Sequence, residues 1–349
     1  MNRSIDRRQM AVIRGIAILG IMLHNYCHFL HKLNVVQENE YRFFADRPQQ
    51  LFAHLADSGS HLFVDLCSFF GCYGVPLFLF ASGYGLVLKY EDEKYPAVGT
   101  GRFIWNHYRK LLRLMLDGFV LYILVCYLKP NGFHGFTFQN FVAQVLMYIN
   151  LLPNPGSLIK PGPYWFFSLM LQLYIIYRLL LHRRHWSITV GLMVVCTVAQ
   201  MCCGPESLKL DWLRYNFVGS VLPFGFGILY ARYGKEISNT QWAIVAVLSI
   251  AVTMFAINNY YSWFFVPLFI ITATVGIVKL LPQSVCQPLA WVGSISALLF
   301  VMHPVMREII VWRYPKSDYY FGIAIYLLST FALVLLFREC YKVILRHRR

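Results

Sequence analysis

Charged residues are scarce in this chain. They make up 13% of its 349 residues, where a soluble domain carries about 25%. A surface this poor in charge, in a chain that is 58% hydrophobic and 17% aromatic, would face water with large sticky patches. That excludes an ordinary water-soluble globule and leaves lipid as the natural solvent; the mean hydropathy of +0.52 agrees. Acidic residues are the scarcer sign, 16 against 31 Lys and Arg, for a net charge of +15. The excess does not point to nucleic acid, because the basic residues sit in short clusters between apolar runs, the positive-inside pattern. Cysteine patterning is missing too. Cys27, Cys67, Cys72, Cys126, Cys196, Cys202, Cys203, Cys286 and Cys340 show no regular spacing and no CxxC. They indicate neither a metal site nor a disulfide framework, and read as small buried apolar residues. Arg3, Arg7 and Arg8 precede an apolar run as in a signal peptide, but no small-residue cleavage site follows and Arg14 interrupts the run. The segment is therefore expected to stay as a first helix. Internal repeats are absent, which disfavours repeat-built transporters, and no linker or soluble domain stands out.

What is present is a series of apolar segments long enough to span a bilayer, for which about 20 residues are needed. They run near 11–30, 68–89, 111–129, 164–182, 186–203, 216–232, 241–258, 262–281, 288–306 and 321–341. The stretch 137–152 is shorter, lies among Gly and Pro, and reads as interfacial or re-entrant. The expectation is an all-α integral membrane protein: one polytopic unit over residues 1–349, a bundle of about ten transmembrane helices with short interfacial or re-entrant helices. Basic residues in the N-terminal arm, from Lys89 to Arg113, His182 to His185, Arg232 to Lys235 and along the tail fall on one side of a ten-helix bundle. Both termini are then cytoplasmic. The loop 307–320, with Arg307, Arg313 and Lys316, is an exception.

Ionisable groups inside apolar segments are costly and usually face a cavity or a partner. In IRGIAILGIMLHNYCH, Arg14 lies near the start of the first helix and His24 ten residues on, about 15 Å deeper and on roughly the same face. A neutral imidazole at that depth is a good general base; the other reading is a His that only packs between helices and an Arg that snorkels to the surface. Gly15 and Gly20 would admit a close neighbouring helix. In HYRKLLRLMLD, Arg109, Lys110 and Arg113 cluster; with Arg14 they would bind phosphates, or simply anchor the helix at the membrane surface. Asp117 is placed to pair with Arg113 one turn away. In PYWFFSLMLQLYIIYRLL, Trp165 fits an interfacial belt, with Ser168, Gln172 and Tyr174 running inward, and Gln172 is the costliest to bury. His303, followed by Pro304, lies toward the outer end of the ninth segment, either as an interfacial His beside a Pro expected to end the helix or as a functional residue.

Together these segments resemble the membrane-bound acyltransferase family 3, O-acyltransferases of surface polysaccharides, lipids and related glycans. Arg14 to His24 resembles the family's first-helix basic residue and deeper His. GVPLFLFASGYGL, with Ser82 and Gly83, is similar to its GVxLFFxxSGF motif. RKLLR resembles its basic motif, and YWFFSLMLQLY its helix-four signature, with Trp165, Ser168, Gln172 and Tyr174 in register. SISALLFVMHPV resembles its SYSIYLxHP segment, ending at His303. The chain departs from the pattern in four places. Nine residues separate Arg14 from His24 where ten are usual, and Asn25 occupies the usual His position. Pro76, Met170 and Leu171 replace acidic residues of the pattern. The chain is similar to the stand-alone branch, with no hydrolase-like domain appended.

The resemblance implies a multi-pass protein of a bacterial plasma (inner) membrane, with a cytoplasmic acyl-CoA, by default acetyl-CoA, as co-substrate rather than bound cofactor. Arg14, Arg109, Lys110 and Arg113 would hold its phosphates and His24 would take the proton of the acceptor hydroxyl. Gln172 or Tyr174 would donate to the oxyanion, and Ser82, Gly83, Trp165, Ser168 and His303 would line or support the site. An acyl-His intermediate is the other route. The acceptor would be a polysaccharide, a glycan or a lipid-linked sugar; the loops 31–67 and 130–163, with Phe43, Phe44, Gln49, Gln50, Phe138, Gln139 and Asn140, would line its site or serve as interfacial cover. Competing classes are an exporter or flippase of glycan or lipid-linked sugar, and a sensor or structural protein that needs neither His24 nor Arg14.

Overall fold

The computed structural model describes residues 4–33, 35–37, 46–57, 61–92, 98–128, 136–313 and 319–346. Phe43, Phe44 and Lys316 lie outside them. The described chain is all-helical. Its first half holds α1 (Arg7–Cys27), α2 (Asp46–Ala56), α3 (Leu62–Phe70), α4 (Gly74–Tyr90), α5 (Thr100–Tyr127), α6 (Phe138–Val145), α7 (Pro155–Leu158) and α8 (Trp165–Ile176). The second half holds α9 (Trp186–Met201), α10 (Leu208–Tyr215), α11 (Phe217–Tyr233), α12 (Asn239–Ala256), α13 (Tyr260–Trp263), α14 (Val266–Leu280), α15 (Gln283–Ser294), α16 (Ser296–Arg313) and α17 (Tyr319–Arg346).

Each of the ten expected segments contains a helix, but length and composition single out fewer as membrane spans. Five helical stretches are long and apolar enough: Arg7–Leu30, Leu62–Tyr90, Gly162–Leu181, Asn239–Ala256 and Tyr319–Val343. A sixth exists if α15 and α16, bent by 70° at their junction, count as one. The others fall short for separate reasons. α9, α11 and α14 are only 16, 17 and 15 residues long, and α5 mixes its apolar half with Arg109, Lys110, Arg113 and Asp117. The chain is a multi-pass membrane protein. The segment 137–152 folds as the short α6 and one 3-10 turn, in keeping with its length.

α1 is the axis of the bundle. Its start is fixed by a capping box in which the Asp6 side chain accepts from Gln9 N at 2.7 Å and the Gln9 side chain answers at Asp6 N. From there Val12, Ile13, Ala17, Ile18, Ile21 and Met22 are all buried. α1 packs against α3, α4, α14, α15, α16 and α17. Lipid gives no hydrophobic drive to helix pairing, so small residues that let backbones meet set these contacts. A methyl group on Gly15 would overlap the Leu289 carbonyl of α15, and Gly20 faces Gly71 at the break between α3 and α4. Both close approaches follow the sequence expectation.

Two buried polar pairs fasten the ends. Glu91, at the end of α4, receives Arg232 of α11 at 2.6 and 2.8 Å in a bidentate pair, and also accepts from the Tyr177 hydroxyl and Arg183 N. Asp65 on α3 is 1% exposed; it meets His54 of α2 at 2.8 Å and accepts from Val36 N, tying the segment before α3 to the bundle. Neither pair stands out in the sequence, because each partner is remote along the chain.

One expectation is overturned. Pro304 does not end a helix, and 288–306 is not one rod. The break falls at Ile295, eleven residues before the end of that segment, and α16 runs on through Pro304 to Arg313. Pro304 withholds one N–H, the one that would reach Phe300, while the His303 ring nitrogen Nδ1 donates to the Leu299 carbonyl at 3.2 Å. Proline is tolerated inside membrane helices where neighbouring groups or local backbone adjustment re-satisfy what it frees.

Candidate active site

His24 stands one turn from the end of α1, half-buried. Its Nδ1 lies 2.8 Å from the main-chain carbonyl of Ser68 on α3. A carbonyl only accepts, so Nδ1 carries the proton and Nε2 carries the lone pair. The ring thus has the tautomer a general base needs. The break at Gly71 makes this contact possible. Its Cα approaches so closely that an added methyl would sit 2.7 Å from His24 Cβ and overlap the Gly20 carbonyl.

His24 opens on a cavity of about 950 Å³, a size that suits a sizeable ligand. Around His24 the wall carries Asn25, His28, Tyr122, Arg307 and Glu308, with the His28 ring 5.8 Å from that of His24. Farther out it is aromatic and charged: Trp165, Trp212, Tyr215 and Trp263 beside Lys160, Asp211 and Arg214. Trp165 meets Tyr215 edge-on at 5.9 Å, and Arg214 lies over Trp263 at 5.3 Å. Such rings stack on sugars, and such polar groups bond hydroxyls.

A buried amide network holds this wall. Asn150 Nδ2 donates to the carbonyls of Trp165 and Tyr215, Asn216 Nδ2 donates to those of Asn150 and Trp212, and Gln172 Nε2 donates to Asn216 Oδ1 at 2.8 Å. Gln172 Oε1 also accepts from Phe217 N at 3.0 Å, the first N–H of α11. Gln172 is therefore committed on both sides to joining α8 with α11 and does not line the cavity.

At the other end of α1, Arg14 forms a second cluster, some 15 Å away by helix rise. Arg14 keeps solvent access. It lies within electrostatic reach of Tyr174 and Lys110, and Lys110 is likewise near Lys89. His107 joins them, its ring 4.4 Å from that of Tyr174 and 5.7 Å from that of Tyr90. Among the described residues, none of Arg14, Lys89 and Lys110 pairs with a carboxylate. Three cations gathered without an acid make an anion-attracting mouth.

The expected residues thus separate into groups. His24 and Trp165 share the cavity. Arg14, Lys110 and Tyr174 share the cationic mouth, so Tyr174 sits with the basic residues rather than beside His24. Arg109 and Arg113 are exposed on α5, and Arg113 is within reach of Asp117. Gly83 packs against the Phe224 carbonyl of α11. Ser82 is half-buried on α4, Ser168 is buried on α8, and neither lines the cavity. His303 is fully buried within electrostatic reach of His24 and Arg307, off the cavity wall. Gln49, Gln50, Phe138 and Gln139 are exposed and Asn140 is buried, all away from the cavity, as interfacial cover would be.

A family profile described as an acyltransferase domain, acyltransferase family 3, matches residues 5–339. The chain belongs to this family. No curated protein and no solved structure matches it significantly. The structure brings to the cavity and to the cationic cluster residues that sequence reasoning passed over. Arg307 was read as a loop cation, yet it lies inside α16 at 6% exposure. His107, Lys160, Trp212, Arg214, Tyr215 and Trp263 gave no local signal, since each becomes part of a site only when distant segments converge.

Proposed function

We propose that this acyltransferase moves an acyl group, acetyl by default, from acyl-CoA to a hydroxyl of a cell-surface polysaccharide, glycan or lipid-linked sugar. The observation that carries the reading is His24, which lines a large cavity and whose Nδ1–H is committed to the Ser68 carbonyl, the tautomer of a base acting through Nε2. The rest of the reading is placed around it. The CoA phosphates bind at the mouth formed by Arg14, Lys89 and Lys110, with Arg109 and Arg113 adding to its field. The pantetheine arm follows α1 over the roughly 15 Å to His24. The acceptor enters the aromatic half of the cavity. His24 Nε2 takes the hydroxyl proton as oxygen attacks the thioester, and returns it to the departing sulfur; such base catalysis supplies about 10²–10⁴-fold.

This reading sets ten spans in a bacterial inner membrane, with both termini and the cationic mouth on the cytoplasmic side, as the basic loops suggest. The test is transfer of labelled acetyl from acetyl-CoA to glycan by purified protein in vesicles without a gradient. His24→Ala is expected to abolish transfer while expression and insertion persist. Full transfer by that variant, or dependence of wild-type transfer on a gradient, would overturn the reading.

A further inference from the structure

Acyl transfer to a hydroxyl passes through a tetrahedral oxyanion, and a preorganised donor beside it is usually the largest catalytic contribution. The residues expected for that task stand elsewhere: Gln172 is committed to Asn216 and Phe217, and Tyr174 belongs to the cationic mouth. Arg307 lines the same cavity as His24. It is 6% exposed, and its Nη1 donates to Asn25 Oδ1 at 3.0 Å, on the residue next to His24. Asn25 is itself fixed, because its Nδ2 donates to the Ile21 carbonyl at 2.9 Å. Phe29 lies under the guanidinium at 4.6 Å. The grip on this cation thus comes from the last turn of α1, which carries the base, and from the 3-10 helix that follows it.

The protein shows what a structural buried arginine looks like. Arg232 is neutralised by Glu91 in a bidentate pair at 2.6 and 2.8 Å. Arg307 is as buried, but Glu308 is 3.6 Å from its Nη2, beyond hydrogen-bond length. A guanidinium has more N–H donors than these contacts use, and an under-neutralised buried cation is costly unless a ligand completes it. We propose that Arg307 binds the thioester carbonyl oxygen and stabilises the oxyanion formed there, with Asn25 as its positioning residue.

This inference rests on the proposed acyl transfer at His24. The acceptor oxygen bonds to the thioester carbon, its proton goes to His24 Nε2, and the carbonyl electron pair moves onto oxygen beside Arg307. Collapse re-forms the carbonyl, breaks the carbon–sulfur bond and releases CoA as the thiol with the proton from His24.

The experiment compares wild type with Arg307→Ala, Arg307→Gln, Asn25→Leu and His24→Ala in labelled acetyl transfer. Arg307→Gln is expected to lower kcat by about 10²–10³-fold, with the KM for acetyl-CoA within about threefold of wild type. Guanidinium ion, and not sodium ion at equal concentration, is expected to restore part of the Arg307→Ala activity. Asn25→Leu keeps the cation and loses its anchor; it is expected to lower kcat by about tenfold, and it stands in if the Arg307 variants fail to fold. Near-normal kcat in Arg307→Gln or Asn25→Leu, or a folded Arg307→Ala that guanidinium does not restore, overturns the proposal. Activity in His24→Ala overturns the underlying reading instead, so the two failures are distinguishable.

Discussion

His24 donates its Nδ1–H to the main-chain carbonyl of Ser68, 2.8 Å away on α3. Main chain, not side chain, sets the tautomer, and α3 reaches α1 because Gly71 admits the close approach. The Ser68 hydroxyl takes no part and has no hydrogen-bond partner in its buried position.

Ser68→Ala is therefore expected to leave activity within about twofold of wild type. Burying an unpaired hydroxyl costs about 1–3 kcal/mol, so thermal stability in detergent should hold or rise. A large loss of activity would show that the hydroxyl, not the carbonyl, serves His24.

Gly71→Ala is expected to have the opposite outcome. Its methyl would press on His24 Cβ at 2.7 Å and overlap the Gly20 carbonyl, forcing α3 away from α1. Overpacking of this kind costs about 1–3 kcal/mol, and loss of the Ser68 contact frees the His24 ring. Both Tm and turnover should fall. Gly85→Ala, where the added methyl meets open space, is the matched control and should match wild type in both.

How much of this site was legible in the sequence depends on how far apart its parts lie. Arg14 and His24 share one helix, so periodicity alone set their spacing and depth. Gly15 and Gly20 were legible as contact points for the same reason. Trp165 showed its place through its position at a helix start. The amide network, the Glu91–Arg232 pair and Arg307 were not legible, because each is closed by at least one contact across 44 or more residues. Gln172 illustrates the cost of reading one helix alone. Its burial was informative, but only the approach of α11 shows that it holds a helix start. The count of spans was blurred by a related effect. A run of apolar residues such as 288–306 gives no sign of the 70° bend at Ile295.

The cationic mouth yields a prediction about the donor. Lys110 faces Arg14 and Lys89, whereas Arg109 lies on another face of α5. If these cations hold phosphates, Lys110→Gln and Arg14→Gln each remove a charge-assisted hydrogen bond worth about 1.5–3 kcal/mol, roughly a 10- to 150-fold rise in KM for acyl-CoA. Arg109→Gln should raise it less, through a long-range field that salt screens. Equal effects of all three substitutions would return Arg109 to the binding site itself.

Glu91 and Arg232 are predicted to govern stability rather than turnover. Removing one partner of a buried pair leaves the other charge uncompensated, at a cost of about 3–5 kcal/mol. Arg232→Met should therefore lower Tm sharply. Glu91→Gln combined with Arg232→Met should recover part of the loss, because neither charge then remains buried alone. A double variant no more stable than Arg232→Met would mean that Tyr177 and Arg183, which also bond Glu91, carry the junction.

Gln172 decides between its two roles. As an oxyanion donor, its loss would cost about 10²–10³-fold in kcat and little stability. As a splice between α8 and α11, its loss strands Asn216 Oδ1 and Phe217 N, each a buried or half-buried polar group that lost its partner. That costs about 1–3 kcal/mol per stranded group and loosens the wall that carries Trp165 and Tyr215. Gln172→Ala is expected to lower Tm by several degrees and to raise the KM for the glycan acceptor, with kcat per folded molecule within about threefold of wild type. Gln172→Glu keeps an acceptor for Phe217 N and loses the donor to Asn216, so it should fall between the two. A hundredfold loss of kcat at unchanged Tm would move the oxyanion role from Arg307 back to Gln172.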